Sequence, residues 1–312
     1  MHDTDRRPRH ILTFDLEEHF HASRFDSSMR RRNWLSFQSR AQASVARILE
    51  LLALHSTNAT FFSLGWLAEQ HPSVIREISS AGHEIACLGY GHELVGAQTP
   101  QLFRTDIRRA KNILEDITGH PVVGFRAPSL SITAHTPWAL QIVAEEGFLY
   151  DSSVLPIRHD LAGIPGASPW IHWQALDGIR LWEIPPSTMS LGGFRKAIGS
   201  GGYLRAFNYP ILKSLLARIE ALHEPIVVSL RTWEIDAAQP RMRGTALSEF
   251  RHYFNLEKTA GRLDRLLTDF QFGPVCEVVL EIREQVLSAS VRAALHSDPR
   301  DSQQELPQLT TV

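Results

Sequence analysis

The stretch HILTFDLEEH (His10–His19) decides the reading of this 312-residue chain. It opens as an apolar, β-prone run and ends in carboxylates, the pattern of a buried strand that stops at a polar rim. After it, Val45, Ile48, Leu49 and Leu52 recur at helical spacing within 43–54, and ATFFSL (Ala59–Leu64) supplies a second strand. A short helix over 73–80 closes at Gly82, and HEIACL (His83–Leu88) is a third strand. Thr99-Pro100 starts a helix to Thr118, with Leu102, Phe103, Ile107, Ala110, Ile113, Leu114 and Ile117 on its buried side and Gly119 at its end. VVGFRAPS (Val122–Ser129) is the next strand and turn, and a helix over 137–146 stops at Gly147 before FLYDSS. This alternation implies a parallel sheet covered by helices, either a closed barrel or a doubly wound layer.

Residues 156–205 are richer in Gly, Pro and Trp, with RLWEIP as the one clear strand, and read as loops over one end of the sheet. Regular pattern returns with a helix over 210–222, the strand IVVSLRTWEI (Ile226–Ile235) and a helix over 256–270. The expected organisation is one domain over 10–290, a flexible N-terminus over 1–9 and a disordered tail over 291–312.

A composition of 43% hydrophobic and 21% charged residues is that of a chain able to bury a large core. With 32 basic and 34 acidic residues, a net charge of -2 and no long run of one sign beyond the short Arg-rich stretch Met29–Arg32, the sequence argues against a nucleic-acid or polybasic membrane surface. Two cysteines far apart, Cys87 and Cys276, argue against a disulfide framework. No run reaches the roughly 18 apolar residues of a membrane span, and no signal segment is evident, so a cytoplasmic location is expected.

In a parallel α/β barrel, reactive groups collect at the C-terminal ends of the strands. Asp15 and Glu17 lie there on the first strand, Leu88 to His92 after the third, Arg126 and Asp151 after the next two, and Arg231, Trp233 and Glu234 on the late one. Asp15 and Glu17 are two apart, so an extended chain points both to one face, whereas Glu18 points away unless the strand has turned. One carboxylate can hold a metal while the other acts as base; the competing reading is a solvated loop.

The segment CLGYGH (Cys87–His92) has the shape of a metal-site loop with a ligand missing. A histidine at position 88 would pair with His92 as His-x3-His; Leu88 cannot ligate.

LTFDLEEHFH, ATFFSLGWLAEQHP, AGHEIACLGYGHELV, GFRAPSLSI, GFLYDSSVLPIRHD, LWEIPPST, GGYLR and TWEIDAAQPR follow one another in the chain. In this order they resemble the polysaccharide deacetylases with the NodB-homology domain, in the branch associated with exopolysaccharide and exosortase loci. The resemblance covers about residues 10–275. It implies a distorted (β/α) barrel of seven parallel strands and metal-dependent hydrolysis of N-acetyl groups on amino sugars, with Zn2+ or another divalent ion. It also implies an N-acetylated polysaccharide or oligosaccharide as partner, and association with exopolysaccharide biosynthesis machinery. Carried over by position, Asp15 matches the base, Glu17 or Glu18 the metal carboxylate, and His92 the second metal histidine. Arg126 matches the arginine that holds the base, and Asp151 the far wall.

Two positions depart from the family pattern. Leu88 stands where the family has its first metal histidine, and Arg231 where it has a late histidine. Catalytic zinc sites use three protein ligands, and a guanidinium cannot release a proton at neutral pH. These departures set a weakened or lost deacetylase, or a non-catalytic carbohydrate-binding or assembly protein, beside an active enzyme. Cys87, His19 and His21 are the available replacement ligands. Tyr90, Trp170, Trp173 and Trp233 are candidates for contacting sugar rings, with core and loop packing as the alternative for the tryptophans.

Overall fold

In the computed structural model, residues 10–21, 31–157 and 162–281 are described. The expectations for 1–9 and 291–312 lie outside these residues. The chain runs β1 (His10–Leu16), α1 (Ala41–Leu54), β2 (Thr60–Ser63), α2 (Gly65–Gln70), α3 (Pro72–Ser80) and β3 (Glu84–Cys87). It continues with α4 (Pro100–Thr118), β4 (Gly124–Phe125), α5 (Trp138–Glu145), β5 (Tyr150–Asp151), β6 (His172–Leu176) and β7 (Ile179–Glu183). Then come the hairpin β8 (Met189–Leu191) and β9 (Phe194–Lys196), α6 (Gly201–Ala206), α7 (Tyr209–Glu220), β10 (Val227–Arg231), α8 (Ala246–Tyr253), α9 (Thr259–Asp269) and β11 (Phe272–Gly273).

The main sheet has the order β10-β1-β2-β3-β4-β5-β7-β6, with β11 also pairing β1. From β10 through β7 each neighbour is parallel, as expected for the NodB-type barrel, and β6 adds an antiparallel strand at the edge. The two ends of the parallel run are stitched by the segments beyond β7. Ser187 donates its N–H to the Val227 carbonyl at 3.0 Å, Gly199 donates to Ser187, and Ser229 donates to Gly199 at 2.8 Å. Position 199 must be glycine here, because a Cβ would meet the Val227 carbonyl oxygen at 2.2 Å.

β1 is buried along its whole length, which is why it reads as a largely apolar run. Phe14 stacks on Phe61 of β2 with centroids 5.0 Å apart, and Val45, Ile48 and Leu52 of α1 are fully buried in the core. In α4 the Thr99 hydroxyl accepts the Leu102 N–H at 3.3 Å, and Gly119 ends the helix at φ 71°. The expected buried side of α4 holds for Phe103, Ile107, Ala110 and Leu114, whereas Leu102, in the first turn beyond the reach of the sheet, is 62% exposed. The late strand is shorter than its sequence suggests: β10 ends at Arg231, and Thr232–Ile235 form a 3-10 turn that carries Trp233 and Glu234 over the barrel mouth. Among the described residues, no helix is long and apolar enough to cross a membrane.

Candidate active site

The strand ends deliver their polar side chains into one buried cluster around Arg126. Its guanidinium lies inside the barrel, fully buried, and Nη1 donates to Asp15 Oδ1 at 2.7 Å, to Thr13 Oγ1 at 2.9 Å and to Ser229 Oγ at 2.9 Å. Nη2 donates to Ser152 Oγ at 2.8 Å and Nε to the Ser152 carbonyl at 3.2 Å, while the group rests 4.0 Å over the Phe62 ring. A buried charge is tolerable only when paired and hydrogen-bonded, and β1, β2, β10 and the residue after β5 together meet that demand. Burial pushes the Asp15 carboxyl above its ordinary value, against the pull of Arg126 and Arg231. Its Oδ2 accepts no hydrogen bond among the described residues, and the side chain is 10% exposed at the mouth.

Glu17 forms the second half of the cluster. His92 Nε2 lies 2.8 Å from Glu17 Oε2, while Arg231 Nε at 2.9 Å and Trp233 Nε1 at 3.1 Å both reach Oε1. Although burial opposes ionisation, His92 first, then Arg231 and Trp233, bring the Glu17 carboxyl down to about 2. The backbone is fixed by Thr232, whose hydroxyl donates to the Glu17 carbonyl at 2.9 Å and accepts the Glu17 N–H at 3.3 Å. His92 itself sits in the left-handed region at φ 54°, a conformation rare outside glycine, which aims its imidazole at Glu17. The loop before it is pinned: Tyr90 donates its N–H to Asp106 Oδ2 at 2.7 Å, and Gly65 and Trp66 of α2 donate to the Gly89 and Tyr90 carbonyls.

Several candidates are placed elsewhere. Glu18 is spent as the cap of α1: Oε1 and Oε2 accept the Arg40 N–H at 3.1 Å, and Oε1 also accepts the Ala41 N–H at 3.1 Å and the Ser39 hydroxyl. The strand has turned by then, so Glu18 faces α1 instead of sharing a site with Glu17. Tyr90 packs away from the cluster, its hydroxyl donating to Glu69 at 2.6 Å with Arg109 over its ring. Trp170 packs against the core, and Trp173 on β6 is 45% exposed under the Arg180 guanidinium. Neither contacts the cluster. Trp233 belongs to the cluster but does not offer its face to a sugar, because it is buried and one face is stacked on His252 at 4.0 Å.

Asp151 lies below, with both oxygens on Ser153, at 2.8 Å to its N–H and 2.6 Å to its hydroxyl. Burial raises it and its neighbour Glu183, the latter well above the carboxylate range. Asp151 thus contacts Ser153 and not the Arg126 guanidinium, which is bonded by the adjacent Ser152.

Among the described residues no group of three His, Cys, Asp or Glu side chains is arranged to hold a divalent ion. Leu88 is buried with no donor to offer. Cys87 turns its sulfur toward α4, accepting the Gly89 N–H at 3.4 Å, and burial pushes its thiol up to about 12. His21 comes within 6.1 Å of His92, ring centroid to ring centroid, but its Nδ1 accepts the Glu18 N–H at 3.1 Å. That bond places the imidazole proton on Nε2, the buried atom without a partner, so the nitrogen facing the site is a donor and not a ligand. His19 stands 3.7 Å from Glu18 and joins neither group. These residues do not fit a three-ligand metal.

Residues that the sequence did not single out are Thr13, Ser152, Ser229, Thr232 and His252. Thr13 was readable in principle, two residues before Asp15 on the same strand face. His252 carries no local signal, since only the packing of α8 brings it onto Trp233.

A parallel barrel with a carboxylate–arginine pair and a second carboxylate held by histidine defines the class: an α/β barrel with a charged site at its strand ends. Residues 26–148 match the polysaccharide deacetylase family, and residues 152–280 match a domain of unknown function, DUF3473. The chain is similar to the peptidoglycan deacetylase of Helicobacter pylori, 28% identical over 36% of this chain and 38% of that protein. It is also similar to the chitooligosaccharide deacetylase of Azorhizobium caulinodans, 30% identical over 35% of this chain and 50% of that protein. The chain thus spans half or less of these relatives' lengths. In fold it is similar to a Mycobacterium smegmatis crystal structure assigned to the polysaccharide deacetylases, with TM-score 0.61 and 22% identity over 88% of this chain and 90% of that one.

Proposed function

We propose that the chain hydrolyses N-acetyl groups on an amino-sugar polysaccharide, releasing acetate and a free amine. The observation that carries this reading is the Asp15–Arg126 pair at the barrel mouth, in a chain with a polysaccharide deacetylase domain. Asp15 is the base: its Oδ2, which accepts no hydrogen bond among the described residues, takes a proton from the water that attacks the acyl carbon and returns it to the nitrogen as the C–N bond breaks, releasing acetate and the amine. Arg126 holds Asp15 through Oδ1, and the raised carboxyl makes it a stronger base than a solvated aspartate. Among the described residues the donors around Asp15 and Glu17 do not make a three-ligand metal site.

The finer assignments extend this reading. An exopolysaccharide or its lipid-linked precursor is the proposed substrate, handled in the cytoplasm beside the biosynthetic machinery; the order of motifs over 10–275 supports this branch. A second reading, glycan binding without turnover, is favoured by Leu88 and Arg231, which remove a ligand and a proton-transfer group from the family's pattern. Acetate release from an N-acetylated oligosaccharide decides between them. Release by the wild type that Asp15→Asn abolishes supports the hydrolase; saturable binding without release supports the second reading.

A further inference from the structure

Arg231 is the residue the family pattern did not foresee, and its placement is specific. It is the Cα partner of Asp15 in the parallel register of β1 with β10, which sets its side chain over the mouth beside both acidic residues. Its Nε lies 2.9 Å from Glu17 Oε1, on the carboxylate whose other oxygen faces His92. Its backbone N–H donates to Glu234 Oε2 at 2.9 Å, and Glu234 Oε1 in turn accepts from the buried Arg205 at 2.8 Å, so the strand end cannot drift.

Charge balance then leaves no place for a dication. Asp15 and Glu17 are matched by Arg126 and Arg231, and every oxygen of Glu17 already has a donor. A divalent ion would add two uncompensated charges to a buried site, a cost that only further anionic ligands could offset. The guanidinium meanwhile is not exhausted by Glu17. Among the described residues its terminal nitrogens donate to no other group, and the side chain remains 30% exposed toward the mouth. A planar fork with free N–H groups is suited to a pair of oxygens on an acyl or carboxylate group.

We propose that Arg231 is the resident cation of this site, standing in place of a divalent metal, and that its free edge receives the carboxylate or acyl oxygen of the ligand. The assignment deepens the hydrolase reading and rests on it only for the ligand's identity; acetate, the product of that reaction, is the probe. Such an edge donates hydrogen bonds to developing charge without a metal's Lewis acidity.

The test has two arms on the full chain. In the first, zinc is titrated by calorimetry and by thermal melting into the wild type and into Leu88→His/Arg231→His. The wild type is expected to show no specific zinc and no shift in melting, and the double variant one zinc with a raised melting temperature. One zinc in the wild type that His92→Ala removes overturns the proposal, and this holds even where the double variant fails to fold. In the second arm, acetate binding is followed by ligand-observed NMR in the presence of EDTA. Arg231→Gln is expected to weaken it at least about tenfold, roughly 1.4 kcal/mol. Acetate binding that needs a divalent ion, is equal in Arg231→Gln, or is absent from the wild type overturns the ligand assignment. A wild type that passes both arms yet releases no acetate from glycan removes the hydrolase reading alone.

Discussion

Asp15 and Arg126 meet at 2.7 Å inside the barrel, one carboxylate oxygen against one terminal guanidinium nitrogen, leaving the other oxygen toward the mouth. Asn at position 15 keeps an acceptor for Arg126 while removing the base. Asp15→Asn is therefore expected to remain folded and to lower acetate release by about 10²–10⁴. A kinetic assay beside a melting curve checks both halves; unchanged release in a folded variant would remove Asp15 from the mechanism.

Arg126→Met should behave in the opposite way. It strips Asp15, Thr13, Ser229 and Ser152 of their shared donor in the centre of the barrel. Breaking a buried pair on one side costs about 3–5 kcal/mol, which urea denaturation reads directly.

Glu18→Ala separates a cap from a ligand. Loss of the cap of α1 is expected to cost about 0.5–2 kcal/mol, with glycan and zinc titrations matching those of the wild type. A changed ligand titration at unchanged stability would show that Glu18 faces the site.

His252→Ala tests the support behind Glu17. The stack on Trp233 is worth about 0.5–1.5 kcal/mol beyond the area it buries. Its loss should free the indole that donates to Glu17, so that KM rises more than kcat falls. Equal effects on every parameter, tracking stability alone, would make His252 an ordinary core residue.

Stability should also follow pH in a defined window. Burial first, then the charge of His92, holds His21 at about 3, below its ordinary 6.5. A depressed folded value means that its contribution is present above 6.5 and is lost as pH falls toward 3. Glu17, at about 2 against 4.5, loses its contribution lower still, while Asp151 and Glu183 act with opposite sign. The readout is thus the difference between wild type and His21→Phe. The variant's melting temperature should fall less between pH 6.5 and 4.5, and parallel curves would contradict the assignment.

How far the structure could be read beforehand varied with burial. β1, β2 and β3 were legible because parallel strands covered on both faces write continuous apolar runs. β6 and the β8–β9 hairpin were not, since they lie among Gly and Pro residues with only partly buried side chains. Asp15, Glu17, His92, Arg126 and Arg231 could be gathered from the rule that strand ends meet. Glu18 could not, because its role depends on the chain returning some twenty residues later to begin α1 against it. Tyr90 and Trp173 show the same limit: aromatic residues near a motif were indistinguishable from those packing under a neighbouring arginine.

The seating of β1 between β2 and β10 carries a cost in time as well as in contacts. One side of this strand finds its neighbour within fifty residues, whereas the other waits for a segment more than two hundred residues downstream. Until Val227–Arg231 leave the ribosome, a buried and largely apolar strand has an open edge, and the segment before it is a sheet without its seam. Synthesis of this protein therefore carries an open strand edge until residue 231 is made, and Asp15, near the end of β1, places a charge on that edge.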